Sequence, residues 1–317
     1  MGSGKYRLLT RSDFDGLVCA VLLKELDLID DIKFVHPKDV QDGVVDVTKR
    51  DILTNVPYVE ECHLCFDHHD SEEIRVGHDT PENLVLSAKA ASAARVVYDH
   101  FGGPDRFSDI SNEMMEAVDK ADSANFTQDE ILNPSGWNFL SFLMDARTGL
   151  GRFREFRVSN YQLMMQLIDC CRDLTIEQIL ELADVKERIE LYREHEQQMK
   201  DQIRRCSTVH GPLVVLDLRR EDTIYVGNRF MIYALFPEAS VSMHVIWGLR
   251  RQNTVFAIGK SILNRTNPVD IGALTLEYGG GGHTAAGTCQ ITNTDAERTK
   301  AELIRRLSET DQRSCAA

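Results

Sequence analysis

Aspartates and histidines gather at four places in the first half of the chain. The first is Asp13-Phe14-Asp15-Gly16, between a strand-like YRLLT and a helical LVCAVLLKELDLI. Carboxylates at i and i+2 can face adjacent metal ions if the loop curls, and Gly16 permits close backbone approach. The same pattern occurs in solvated turns, so alone it is weak. A calcium loop fits poorly, because the glycine comes too early and a helix pattern starts at once. Asp46 ends the apolar run GVVD, which puts one carboxylate at a strand end. Asp67-His68-His69-Asp70 ends the next run, HLCF. Consecutive ionisable groups beside a core are costly unless metals or partners satisfy them. Asp119 and Asp122 share one face if their segment is helical. Carboxylates and imidazoles with few thiolates suit Mn²⁺, with Mg²⁺ or Fe²⁺ as alternatives. Two such ions suit phosphoester hydrolysis, since one lowers the pKa of an attacking water and both stabilise charge on phosphoryl oxygens.

The segments between these groups must deliver them to one place. Residues 6–10 read as a strand and the following LVCAVLLKELDLI as a helix. IKFVHP and GVVDVT read as further strands, and HLCF leads into the polar cluster. Residues 87–100 are alanine-rich and helical, stopped by Gly102-Gly103-Pro104, and 107–122 read as another helix. Strands alternating with helices predict an α/β domain with a mostly parallel sheet, whose ligand sites lie beyond the C-terminal strand ends. Residues 158–185 read as mostly helical. The charged segment 186–206 reads as a solvated interdomain helix. Beyond Gly211-Pro212, LVVLDL, TIYVGNRFMIYALF, SVSMHVIWGL and TVFAIGK are strand-like or mixed runs. YGGGGHTAAGTCQI reads as a glycine loop before a strand, 295–307 as a closing helix, and DQRSCAA as a loose tail.

Length and charge bound the function. The 317 residues correspond to about two domains. Lys plus Arg total 36 against 50 Asp plus Glu, a formal net charge of −14. Such a balance argues against coating long nucleic acid, whose phosphates demand a basic surface. It leaves room for a local basic pocket. No run approaches about 18 apolar residues, so a membrane span is not expected. The N-terminus enters charged sequence at once and does not read as a secretory signal. The eight cysteines then read as reduced thiols in a cytoplasmic protein. Cys62-His63-Leu64-Cys65 has zinc-like spacing but no second pair, and buried thiols are the simpler reading.

Taken in order, RSDFDG, the Asp of GVVD, FDHHD, an Asp near KADS and the distal GGGGHTAAG resemble the DHH phosphoesterase superfamily. The last element is similar to the signature of the domain that often accompanies the DHH domain. Five ordered elements over nearly the whole chain are more specific than any one. The resemblance implies a DHH domain over 1–185, a linker helix over 186–206, a smaller α/β domain over 207–310 and a tail over 311–317, with the active site in the interdomain cleft. It implies Asp13 as a ligand of a first metal, Asp15 of a second, Asp46 as the bridging carboxylate and His68 as the second-metal histidine. Asp122 is the remaining ligand, because the family Asp is often followed by Ser or Thr, here Ser123; Asp119 is the fallback. His69 matches a residue that approaches the phosphate, and Asp67 supports the imidazoles. The chain departs from the pattern at Arg11, where relatives usually carry His. A guanidinium cannot ligate metal. Either Arg11 contacts substrate phosphate, with the first metal weakened or completed by water, or only one metal binds tightly, or hydrolysis is lost.

Gly280, Gly281, Gly282 and His283 are implied to grip substrate. Consecutive glycines carry an ordering cost that makes sense where amides approach a ligand; the bland alternative is a flexible turn. Arg265 is a second phosphate contact, whereas Arg147, Arg152 and Arg154 read as surface charge. Relatives include oligoribonuclease-like phosphatases, cyclic-dinucleotide phosphodiesterases, single-strand exonucleases, exopolyphosphatase-like proteins and family II pyrophosphatases. A manganese-dependent phosphodiesterase acting on a cyclic dinucleotide or short RNA end is the reading that results. Polyphosphate or pyrophosphate hydrolysis is the second, and a non-catalytic nucleotide-binding regulator the third. No duplex or membrane partner is expected, and a homo-oligomer is compatible.

Overall fold

The computed structural model describes residues 4–69, 72, 75, 77 and 80–309. The chain divides into two compact units, Met1–Asn125 with Pro134–Glu190, and Phe126–Asn133 with Leu191–Ala317. The tail over 311–317, with Cys315, and Asp70 lie outside the described residues.

The first unit is built on β1 (Tyr6–Arg11), β2 (Ile29–Val35), β3 (Asp51–Thr54), β4 (Leu64–Asp67) and β5 (Leu84–Leu86), in the spatial order β2-β1-β3-β4-β5. Every pairing is parallel. Parallel strands point their C-terminal ends to one edge, so Arg11, Thr54 and Asp67 share that edge. The chain leaves β1 for β2 on one side and returns to β3 on the other. That reversal opens a crevice beyond the ends of β1 and β3. Helix α1 (Phe14–Glu25) carries Leu17 to Leu23 fully buried, as its apolar sequence all round requires.

GVVDVT forms no strand. Val45 and Val47 are half-buried against the core cluster that includes Leu9, Leu53 and Cys65, while Val44 is 73% exposed. The place beside β1 is taken instead by DILT, all four residues buried. Asp51 leads this strand. In the fold it accepts from Arg7 Nε at 2.6 Å and from Thr48 N at 2.6 Å.

Short α2 (Pro37–Gln41) follows β2. The helix expected over 87–100 is α3 (Ala93–His100), shortened because β5 takes Leu84–Leu86 and Ser92 caps the N-terminus. The helix expected over 107–122 is α4 (Asn112–Asp122), capped by Ser111. After α5 (Gln128–Leu132) and α6 (Gly136–Met144), the helical stretch over 158–185 holds α7 (Asn160–Asp173) and α8 (Ile176–Leu180), each opened by a capping box.

Helix α9 (Ala183–Cys206) is less solvated than its charge suggests. Val185, Arg188, Tyr192, His195, Gln202 and Ile203 are buried along one face. Arg188 is satisfied there by Asn160 Oδ1 at 3.1 Å, Asp184 O at 2.7 Å and Val158 O at 2.6 Å, over the Phe156 ring. Polar side chains can line a buried face when each donor finds an acceptor, which composition does not reveal.

The second unit carries β6 (Ser207–His210), β7 (Leu213–Asp217), β8 (Val241–Trp247), β9 (Thr254–Lys260), β10 (Gly281–His283) and β11 (Ala286–Ile291), ordered β10-β11-β9-β8-β7-β6. Only β7 and β8 pair in parallel within it. Leu213 and Val215, Val241 with Met243 and Val245, and Phe256 with Ile258 alternate onto one face. That face packs on α11 (Ile271–Leu276) and α12 (Ala296–Ser308) through Ile271, Leu274, Leu303 and Leu307. The mixed run TIYVGNRFMIYALF yields helix α10 (Met231–Leu235), not a strand. The expected glycine loop is a hairpin of β10 and β11. No helix among the described residues is long and apolar enough to cross a membrane.

Candidate active site

Asp13 ends the turn after β1 in extended backbone and caps α1, its Oδ1 accepting from Gly16 N at 3.0 Å. A Cβ on Gly16 would stand 2.0 Å from Arg11 O and 2.7 Å from Thr10 Oγ1. Only glycine lets the helix start this close to the strand, and that approach brings Asp15 inward. Asp15 is 3% exposed. Its two oxygens accept from Ala93 N at 3.0 Å and Ala94 N at 2.8 Å, the opening amides of α3. A carboxylate there meets unpaired amides and the positive end of the helix.

Asp67 ends β4 and is buried; its Oδ1 accepts from His68 N at 2.7 Å and His69 N at 3.3 Å, and lies 2.6 Å from His69 Nδ1. His68 turns its Nδ1 to Ala90 O at 3.3 Å. A carbonyl only accepts, so Nδ1 carries a proton, and Nε2 is the nitrogen that can exchange its proton for a metal. Nε2 is buried, and no hydrogen-bond partner meets it among the described residues. Asp122 Oδ2 stands 2.9 Å away, close enough for an ion pair but without hydrogen-bond geometry.

Asp15, His68 and Asp122 therefore present three donor atoms within 4.8 Å of one another. Burial disfavours a charged His68, yet the carboxylates of Asp122, Asp15 and Asp67 outweigh it and push the imidazole up to about 9. Burial, with Asp122 and Asp13 nearby, pushes Asp15 well above the usual carboxylate range. Asp13 is raised by burial too, against the pull of Arg11. Burial also works on Asp122, but His68 holds it below its ordinary value. This cage crowds carboxylates around His68 Nε2, and a divalent cation there would displace the imidazole proton and balance the negative charge.

The fold thus brings Asp13, Asp15, Asp67, His68, His69 and Asp122 together at the strand ends. It does not bring Asp46. That residue is exposed, and its carbonyl accepts from Arg7 Nη2 at 2.9 Å, near the start of β1 and before β3 begins. Asp46 is therefore at the wrong edge of a parallel sheet. At the matching end of β3 stands Asn55, buried at 1% exposure, with φ +54°. Its Nδ2 donates to Asp13 Oδ1 at 3.2 Å. The sequence reading passed over Asn55; its signal was the apolar DILT that precedes it. The fallback Asp119 is held by Arg95 at 2.9 and 2.7 Å and by Ser92 Oγ at 2.7 Å, with no place in the cage. Arg11 pairs through Nε with Asp13 Oδ2 at 2.9 Å. Arg147, read as surface charge, also pulls on Asp13 electrostatically. Cys62 and Cys65 are buried free thiols and belong to no metal-capable group among the described residues.

Arg265, Gly280, Gly281, Gly282 and His283 lie in the second unit. A Cβ on Gly280 would sit 2.1 Å from Thr288 O, and one on Gly282 2.2 Å from Ala286 O. These two glycines answer first to the tight hairpin. Gly281 is exposed and open on its Cβ side. His283 Nδ1 accepts from Ala285 N at 3.2 Å, which places its ring proton on Nε2. Arg265 Nε donates to Ile262 O at 3.1 Å.

Neither a protein-family model nor a curated protein sequence matches the chain. Solved structures do. A pGpG-specific phosphodiesterase, PggH, from Vibrio cholerae is 58% identical, with 96% of this chain and 100% of that one covered and a TM-score of 0.85. An exopolyphosphatase-related protein from Bacteroides fragilis is 12% identical over 96% of this chain and 92% of its own, at a TM-score of 0.52. RecJ from Thermus thermophilus, in complex with Mn²⁺, is 13% identical over 96% of this chain and 52% of its own, at 0.51. The last two speak for the fold alone. The motifs at the strand ends, the parallel sheet that carries them and the 58% identity along the chain agree: this protein belongs to the DHH phosphoesterase superfamily.

Proposed function

We propose that the chain is a metal-assisted phosphodiesterase that hydrolyses a small nucleotide, with linear pGpG as the first substrate to test. The observation that carries this is the cage of Asp15, His68 and Asp122 in a chain 58% identical to a pGpG-specific phosphodiesterase. A divalent cation held there would supply a Lewis acid for a phosphoryl oxygen and acidify a water. Mn²⁺ is our choice over Mg²⁺, because one of the three ligands is an imidazole. Asp67 fixes the ring of His69, which is 42% exposed and directs its outer nitrogen toward a phosphate. Arg11 adds a cation beside Asp13 for a second phosphate oxygen. In the second unit, His283, Arg265 and the backbone of Gly280, Gly281 and Gly282 are our candidates for holding the rest of the nucleotide. Asp46 is not among the ligands we propose. Cytoplasmic residence belongs to the same reading and suits the unpaired thiols.

The test is a substrate panel. Protein stripped by chelator and reloaded with Mn²⁺ is incubated with pGpG, cyclic dinucleotides, short RNAs and polyphosphate. The expected result is cleavage of pGpG at its one internucleotide bond, giving two mononucleotides. Orthophosphate release from polyphosphate with pGpG intact would replace this reading with the exopolyphosphatase one. No turnover on any substrate, with pGpG still bound, would make the protein a nucleotide-binding regulator.

A further inference from the structure

A second cation held by Asp13 would stand against the Arg11 guanidinium, a fixed positive charge. Asp13 Oδ2 pairs with Arg11 Nε at 2.9 Å, so a cation already stands where a metal would, while Oδ1 accepts from Gly16 N and Asn55 Nδ2. A guanidinium has no lone pair to offer a metal. Turning the Asn55 amide over would set its oxygen against a carboxylate oxygen, acceptor on acceptor, so the nitrogen end belongs there. Asp46, the carboxylate expected to bridge two ions, is at the other edge of the sheet. Asp119 is held by Arg95 and Ser92. Among the described residues Asp13 joins no group of three metal-capable side chains, and the two groups that exist share His68. The two groups compete for His68, and the Asp67 Oδ1 of the other group is already engaged with His68 N, His69 N and His69 Nδ1.

We propose that this centre holds a single divalent cation, on Asp15, His68 and Asp122. The second positive position is filled by the Arg11 guanidinium, anchored by Asp13 and backed by Arg147. This rests on the metal-assisted reading above. Arg11 then binds a phosphoryl oxygen directly, where a two-ion centre would use metal. Unlike an ion, a guanidinium cannot be stripped by a chelator, and its planar donors fix the orientation of the oxygens they meet.

Counting ions tests this separately from activity. Chelator-treated protein is dialysed to equilibrium against Mn²⁺, and metal is measured per chain. The expected count is one. Arg11→Ala keeps that ion, while kcat/KM on pGpG falls by at least about 100-fold. Arg11→His combined with Asn55→Asp raises the count to two. Two ions on the unaltered protein would overturn the single-cation proposal and leave metal-assisted hydrolysis standing. No bound ion would overturn the metal-assisted reading itself. A count of one on a folded double variant would show that Arg11 and Asn55 are not what excludes the second ion. Should the double variant fail to fold, the counts on the unaltered protein and on Arg11→Ala decide, and loss of the ion from Arg11→Ala also overturns the proposal.

Discussion

Asp15 and Asp122 are both carboxylates beside one imidazole, yet their surroundings differ. Asp15 is also tied to two helix amides, so removing its charge disturbs the start of α3 as well as the cage. Asp122, at the last residue of α4, faces His68 and is the cleaner target. Asp122→Asn should weaken Mn²⁺ binding and lower turnover by roughly 100-fold or more, because a neutral amide is a poor replacement for a charged ligand. Titration calorimetry with Mn²⁺ and single-turnover kinetics read the two effects. Asp46→Asn should leave both unchanged, since that side chain is exposed at the opposite edge of the sheet. A loss of turnover on that substitution would contradict the geometry. The DFDG and DHH residues were legible in sequence because each group is local: neighbours in one turn stay neighbours after folding. Asn55 was not, because its role depends on which strand lies between β1 and β4.

At the scale of elements, the glycine hairpin separates two demands that sequence merges. Gly280→Ala forces a methyl group toward Thr288 O and should destabilise the protein by about 1–3 kcal/mol. Gly281→Ala, with open space at its Cβ, should stay within about 0.5 kcal/mol. Urea unfolding of the two variants makes the comparison, and equal losses would mean the hairpin is not packed as described. At the end of β7, Asp217 accepts from Arg219 Nε at 2.9 Å and Lys300 Nζ at 2.6 Å. Burial alone would raise this carboxyl, but Arg219 and Lys300 hold it well below the usual range. A depressed folded-state pKa stabilises fully above the unfolded value of about 3.9, and the contribution is lost progressively as pH falls from there through the folded value. Asp217→Asn should therefore cost about 1–2 kcal/mol at neutral pH. The gap between variant and unaltered protein should narrow steadily below about pH 4. A gap independent of pH would assign the effect to lost packing instead.

For the whole molecule, the net charge of −14 sets what can approach. Long duplex nucleic acid should not compete with pGpG at about 0.15 M salt, because few phosphates could be neutralised at once. Inhibition that grows with duplex length would refute this. The chain's composition, its strand–helix alternation and its motifs sufficed for the α/β class, the parallel sheet and the carboxylate–imidazole chemistry, because these depend on residue type and short spacing. The buried polar face of α9 and the failure of GVVDVT to form a strand could not be read that way, since each depends on partners distant in sequence. Which carboxylates meet was likewise decided only by tertiary pairing. A parallel sheet sends residues just before a strand to one edge and residues just after it to the other, so positions a few residues apart, such as Asp51 at the start of β3 and Asn55 just past its end, meet different partners, Arg7 and Asp13. Register between strands, a long-range property, thus determined that Asn55 and not an aspartate faces Asp13.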